Sequence, residues 1–173
     1  TQDFTGNITD WRALLPLFGA LLIWIVAKLG SKRYKRMGIA YVLHRVKLHY
    51  GKIPLQSAAG QFFQALFALG TNFSVGREGP AIHLGAVSAS VLAEKFNLPD
   101  NSVRIMCASG IAAGIAATFN APLAAVIFVL EVIVREYKVH YFFPIMLSAI
   151  CGAVSSQLVF GNVHEFDRIQ VIH

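Results

Sequence analysis

The chain has 173 residues, of which 55% are hydrophobic and only 14% charged, with a net charge of +6 and a mean hydropathy of +0.57. An ordinary soluble domain carries about a quarter charged residues, so this composition excludes that class and points to a chain embedded in lipid. No Asp, Glu, Lys or Arg occurs in residues 53–76 (24 residues), 105–130 (26) or 139–163 (25). Each run, wound as helix, exceeds the roughly 30 Å hydrocarbon core of a bilayer.

Taken in chain order, the pattern predicts helices near 11–29, 38–49, 54–72, 80–95, 102–117, 121–137 and 141–160, an all-helical architecture with strand-like alternation only in the terminal "DRIQVIH". The start, "TQDFTGNITDWR", is polar and carries two Asp, so it is not a removable signal, and the initial Thr suggests a fragment. Two uncharged stretches, 13–27 and 79–93, have 15 residues each, about 22 Å as helix, which suggests re-entrant or steeply placed segments. Eight of the fifteen Lys and Arg residues fall between Lys28 and Lys52. Basic loops near helix ends mark the cytoplasmic, headgroup-facing side, and among such spans a nucleic-acid partner is not expected.

Pro54, Pro80 and Pro122 stand where a helix loses nothing by lacking an N–H, and Ser102 is placed to cap the helix after Pro99. The small residues of "ASGIAAGIAATFNAPLAA", with Gly110 and Gly114 four apart, predict close helix–helix contact. Gln56, Gln61 and Gln64 are expected to hydrogen-bond to neighbouring helices. Cys107 and Cys151 behave as small apolar groups, and two positions alone imply no disulfide. The histidines at 44, 49, 83, 140, 164 and 173 lack metal-site spacing. His83, five residues past an isolated acid, is read as a packing or interfacial residue.

That acid is Glu78, in "SVGREGPAIHLGA". A carboxylate in hydrocarbon is costly, so it is satisfied or functional. Arg77 is adjacent, and the helix opening at Pro80 offers unpaired N–H groups and a partial positive charge. Such a helix end is an anion site, and Glu78 would act as a tethered anion competing with a mobile one, its protonation releasing the site. The plainer reading is an Arg77–Glu78 pair that ties a loop together.

"GREGP" opening a short helix, followed 34 residues on by "GIAAGIAATFNAPLAAVIFVLE", resembles the CLC family of chloride channels and anion/proton antiporters over essentially the whole chain. The resemblance implies an integral, multi-pass protein of the cell inner or plasma membrane, a homodimer with one pore per subunit, and an inverted repeat of which residues 1–173 form a single transmembrane unit, the first half. It implies Glu78 as the gating and proton-accepting carboxylate, a small inorganic anion such as chloride as ligand, and no other cofactor. The candidate anion-binding residues are Met37, Gly38, Ile39, Gly76, Arg77, Gly79 and Pro80.

The chain departs from the family pattern at two sites. Where the family has Gly-Ser-Gly-Ile-Pro, this sequence has Arg36-Met37-Gly38-Ile39-Ala40, and a thioether donates no hydrogen bond. The family's inner proton glutamate aligns with Val132, while Glu131 precedes it, and Glu131 stands four residues before Arg135 as in a helix-surface pair. The family's Gly-x-Phe-x-Pro motif and pore tyrosine do not occur here. The expected function is therefore channel-type or antiport movement of a monovalent anion by the complete protein, and the alternative is a transport-inactive membrane scaffold. A soluble phosphate-loop enzyme is excluded by the missing Lys-Ser/Thr, and no catalytic constellation of an enzyme is present.

Overall fold

The computed structural model describes residues 15–29, 38–71, 73, 75–136 and 138–161. The helices run α1 (Leu15–Leu29), α2 (Ile39–Leu48), α3 (Leu55–Gly70), α4 (Glu78–Lys95), α5 (Asp100–Phe119), α6 (Pro122–Phe128) and α7 (Val139–Phe160), with a π-helical segment (Val129–Val134) continuing α6. No strand occurs among the described residues, and the expected terminal one lies outside them.

All seven expected helices are present, with instructive shifts. Helix α5 starts at Asp100, and Ser102 lies within its first turn instead of capping it. Pro99 at φ −62°, ψ 152° sets an extended approach, and Asp100 complements the helix dipole. The uncharged run 105–130 is not one rod: Asn120, in the left-handed region at φ 53°, ends α5, and α6 restarts at Pro122. Run 53–76 holds only the 16 residues of α3, about 24 Å of helix. Helices α5 and α7, of 20 and 22 residues, are long and apolar enough to cross a bilayer.

Helices α4, α5 and α7 form the packed centre, with α2 and α6 against it and α1 on α3. The core is built from residues three or four apart on each helix: Val42 and Val46, Ile82 and Ala86, Ala108, Ile111 and Ala112, Ile145 and Ala149. Small side chains let backbones touch. A Cβ at Gly110 would meet the carbonyl of Gly85, and one at Gly114 the carbonyl of Ala81, so α4 and α5 cross at van der Waals contact along this edge. Ser148 and Ser156 donate to the Ser109 and Ala117 carbonyls at 2.9 Å each and bind α7 to α5.

Outward faces of α1, α3 and α7 carry Leu17, Phe18, Trp24, Phe62, Phe63, Leu66, Phe143, Leu147 and Leu158, all exposed. Apolar cover on this scale suits lipid or protein contact rather than water. Gln56 is exposed, and none of Gln56, Gln61 and Gln64 bonds a described residue. Gln61 and Gln64 are half-buried on the stripe that carries Ser57 and Ala68, yet the expected interhelical bonds do not form among the described residues. Cys107 is buried, Cys151 exposed, and both are free.

Candidate anion site at the helix starts

Two helix beginnings carry most of the candidate residues. Helix α2 starts at Ile39 behind Gly38, whose φ of 90° and ψ of −174° are costly for any residue with a Cβ. No side chain caps it, and only the Val42 N–H turns back to Gly38, at 3.2 Å. Gly38 is half-buried while Ile39 and Ala40 are exposed. Met37 and Arg36 lie outside the described residues.

Helix α4 begins two residues earlier than expected, so Glu78 is its first residue and Pro80 sits in its first turn. No side chain caps this end either. Ala81 donates to the Arg77 carbonyl at 3.2 Å and Pro80 has no N–H, which leaves those of Glu78 and Gly79 pointing from the helix end. The glycines here divide by role. A Cβ at residue 76 would collide with the Glu78 carboxylate, which folds back over Gly76, whereas a Cβ at residue 79 would meet nothing. Neither has positive φ, so close approach at Gly76, not backbone freedom, explains the motif.

Glu78 and Arg77 are exposed in the chain as described. No ion pair joins them among the described residues. Arg77 instead lines a cavity of about 1030 Å³ with Thr118, Asn120, Ser155, Ser156 and Gln157. Depth along the bundle follows from α5. Ala81 meets Gly114, fourteen residues past Asp100, so the start of α4 lies about 21 Å from the first turn of a helix about 30 Å long.

The opposite end carries ion pairs. Lys52 pairs with Asp100 at 2.7 Å, and Glu136 with Arg104 at 3.3 Å and Lys138 at 2.9 Å. Arg104 also donates to the Val134 carbonyl at 3.1 Å. Lys138, first through its hydrogen bond, holds the Glu136 carboxyl below the usual carboxylate range against the opposing effect of desolvation. Asp100 likewise raises Lys52, and Glu136 raises Lys138.

Glu131 and Val132 belong to this end, not to the deep one. They lie on the π-helical segment, Glu131 exposed and Val132 half-buried against the core. The expected Glu131–Arg135 pair does not form. The Arg135 N–H bonds the Leu130 carbonyl at 2.8 Å, an i to i+5 bond, and Arg135 itself turns left-handed at φ 56°. That winding removes the i, i+4 alignment an α-helix would supply. No group of three or more His, Cys, Asp or Glu among the described residues would hold a metal ion.

His83 of α4, fully buried, contacts both α3 and α2. Its Nε2 lies 3.2 Å from the Ser57 hydroxyl, and its ring stacks on Tyr41 of α2 at 5.9 Å and 29°. One turn and three residues on, Ser90 accepts the Ile53 N–H at 3.0 Å. Sequence reading singled out His83 as a packing residue and missed Tyr41, Ser57 and Ser90. The available signal was two polar residues, 83 and 90, seven apart on one face of an apolar helix.

The voltage gated chloride channel family matches residues 18–172. A ClcB-like chloride channel protein of Ralstonia nicotianae is 27% identical over 163 residues, covering 91% of this chain and 38% of that protein. The voltage-gated ClC-type chloride channel ClcB of Yersinia pseudotuberculosis is 25% identical over 172 residues, covering 96% and 41%. The H(+)/Cl(-) exchange transporter ClcA of Vibrio vulnificus is 34% identical over 110 residues, covering 63% and 23%. The chain thus spans about two-fifths of the length of the first of these relatives. With a family match across nearly its whole length and an all-helical fold built on small-residue contacts, the chain belongs to the voltage-gated chloride channel family and has its membrane-helical fold.

Proposed function

We propose that residues 1–173 are the N-terminal transmembrane unit of a CLC-type channel or anion/proton antiporter that moves chloride or a similar small monovalent anion, with Glu78 as its gating and proton-accepting carboxylate. The observation that carries this reading is the start of α4: two N–H groups open at the helix end, about 21 Å along the bundle, with the Glu78 carboxylate folded over Gly76 beside them. An anion arriving there would meet the positive end of the helix dipole, and the ionised Glu78 would compete with it for the same donors. Protonation removes that competition. The relatives named as chloride channels and H(+)/Cl(-) exchangers support the same substrate class. The protein acts without an enzymatic step or cofactor, as a homodimer in the inner or plasma membrane.

Val132, an apolar residue packed on the core where family antiporters carry the inner acid, favours conduction without a proton relay through that position. The test is anion efflux from liposomes holding the full-length protein, across a pH series, beside Glu78→Gln. Flux that falls at least tenfold as pH rises in the parent and is flat in the variant is the expected result. No flux from either protein favours a transport-inactive scaffold and sinks the proposal.

A further inference from the structure

Near the candidate site the fully buried titratable side chain is His83. Ser57 donates its single hydroxyl proton to the Pro54 carbonyl at 2.8 Å. The short contact with His83 is therefore made by the imidazole, whose Nε2–H donates to Ser57 Oγ at 3.2 Å. The ring's Nδ1 has no hydrogen-bond partner among the described residues. The Gly38 and Ser57 backbones border the ring, and Tyr41 stacks against it.

Three helices meet on this one side chain. Ser57 is in the first turn of α3, Tyr41 and Gly38 belong to the start of α2, and His83 lies five residues past Glu78 on α4. Helix α2 has ten residues, too few to hold its own position, since isolated helices under about a dozen residues are marginal. It is fixed by burying Val42 and Val46 and by the Tyr41 stack.

We infer that His83 is a positioning residue for the anion site: by donating to Ser57 and stacking on Tyr41 it locks the start of α2 against α4, so that the Gly38–Ile39 and Glu78–Gly79 N–H groups face one ion. This rests on the transport reading above. It goes further by making the affinity for the anion depend on a side chain that does not touch it. A partner that only filled space would be replaceable by any side chain of similar volume, whereas this role requires a donor at the Nε2 position.

The test compares full-length His83→Leu, His83→Gln and Ser57→Ala with the parent in liposomes, reading half-saturating anion concentration and maximal flux separately. Amide exchange of the 38–46 segment is followed in parallel. The terminal amide of Gln reaches the place of Nε2–H, so His83→Gln should keep half-saturation within twofold. His83→Leu and Ser57→Ala should raise it about fivefold, the net worth of one hydrogen bond, with maximal flux little changed and faster exchange at the start of α2. Should His83→Leu misfold, Ser57→Ala, which removes only an oxygen, carries the test. A transporting protein whose half-saturation is the same in Ser57→Ala, or equally raised in His83→Gln and His83→Leu, overturns the role of His83 alone. Absence of flux in the parent sinks the transport reading instead, and with it this inference.

Discussion

Helix α5 is tied to its neighbours differently at its two ends. Near Asp100 ion pairs join it to the flanking segments, Lys52 to Asp100 and Glu136 to Arg104 and Lys138. Near Gly114 helix backbones touch, while hydroxyls of Thr118 and Ser156 return to carbonyls at 2.8 and 2.9 Å. The contrast follows from solvent. Charges cost little where water and headgroups reach them, and several kcal/mol where they do not, so at depth the chain relies on dispersion between close backbones and on internally satisfied polar groups. Arg77 and Glu78, both exposed, are the charges at the start of α4.

The sharpest way to break this contrast is at the glycine crossing. A methyl at residue 110 would strike the Gly85 carbonyl and the Ala89 side chain, while one at residue 70 would enter open space. Gly110→Ala should therefore destabilise the full-length protein by about 2–3 kcal/mol, the upper range of overpacking. Gly70→Ala should be neutral or slightly stabilising. Thermal unfolding in detergent reads both, and equal midpoints for the two would mean that the deep end is not held by backbone contact.

Next in size is the break between α5 and α6. Asn120 holds φ 53° and accepts from Gln157 at 2.6 Å. Alanine in the left-handed region costs about 1–2 kcal/mol, a cost that glycine does not incur. Asn120→Ala should lower stability by about that amount and Asn120→Gly by less. If the two variants lose stability equally, the side-chain bond to Gln157, not the turn, matters at this position.

Helix number and order were legible because apolar runs, prolines and glycines punctuate this sequence. The small-residue contact face was legible too, since close approach in lipid requires residues without bulk. The break inside the uncharged run 105–130 was legible as well, because Pro122 marks a helix start there, while the left-handed turn at Asn120 that makes the break was not. The Glu131–Arg135 pair was misread because spacing in sequence presumes an α-helix, and the π-helical winding of Val129–Val134 depends on tertiary packing. In the candidate site, the "GREGP" residues were singled out by their own chemistry. Tyr41 and Ser57 were not, because each is an ordinary residue whose role arises only when three helices converge on His83.

The smallest effect belongs to the charged end. The folded-state pKa of Glu136 lies below its ordinary 4.5, with Lys138 the main cause and Arg104 contributing. A carboxyl shifted down in the folded state adds stability that is fully present above 4.5 and is lost as pH falls through its folded value. Both carboxyl and ammonium are accessible to water, so the effect is modest and screened by salt. Unfolding midpoints of the full-length protein should drop between pH 5 and pH 3 more steeply than those of Glu136→Gln, and added salt should narrow the difference. Identical acid limbs would mean that the Arg104–Glu136–Lys138 cluster adds nothing to what holds α5 against the segment before α7.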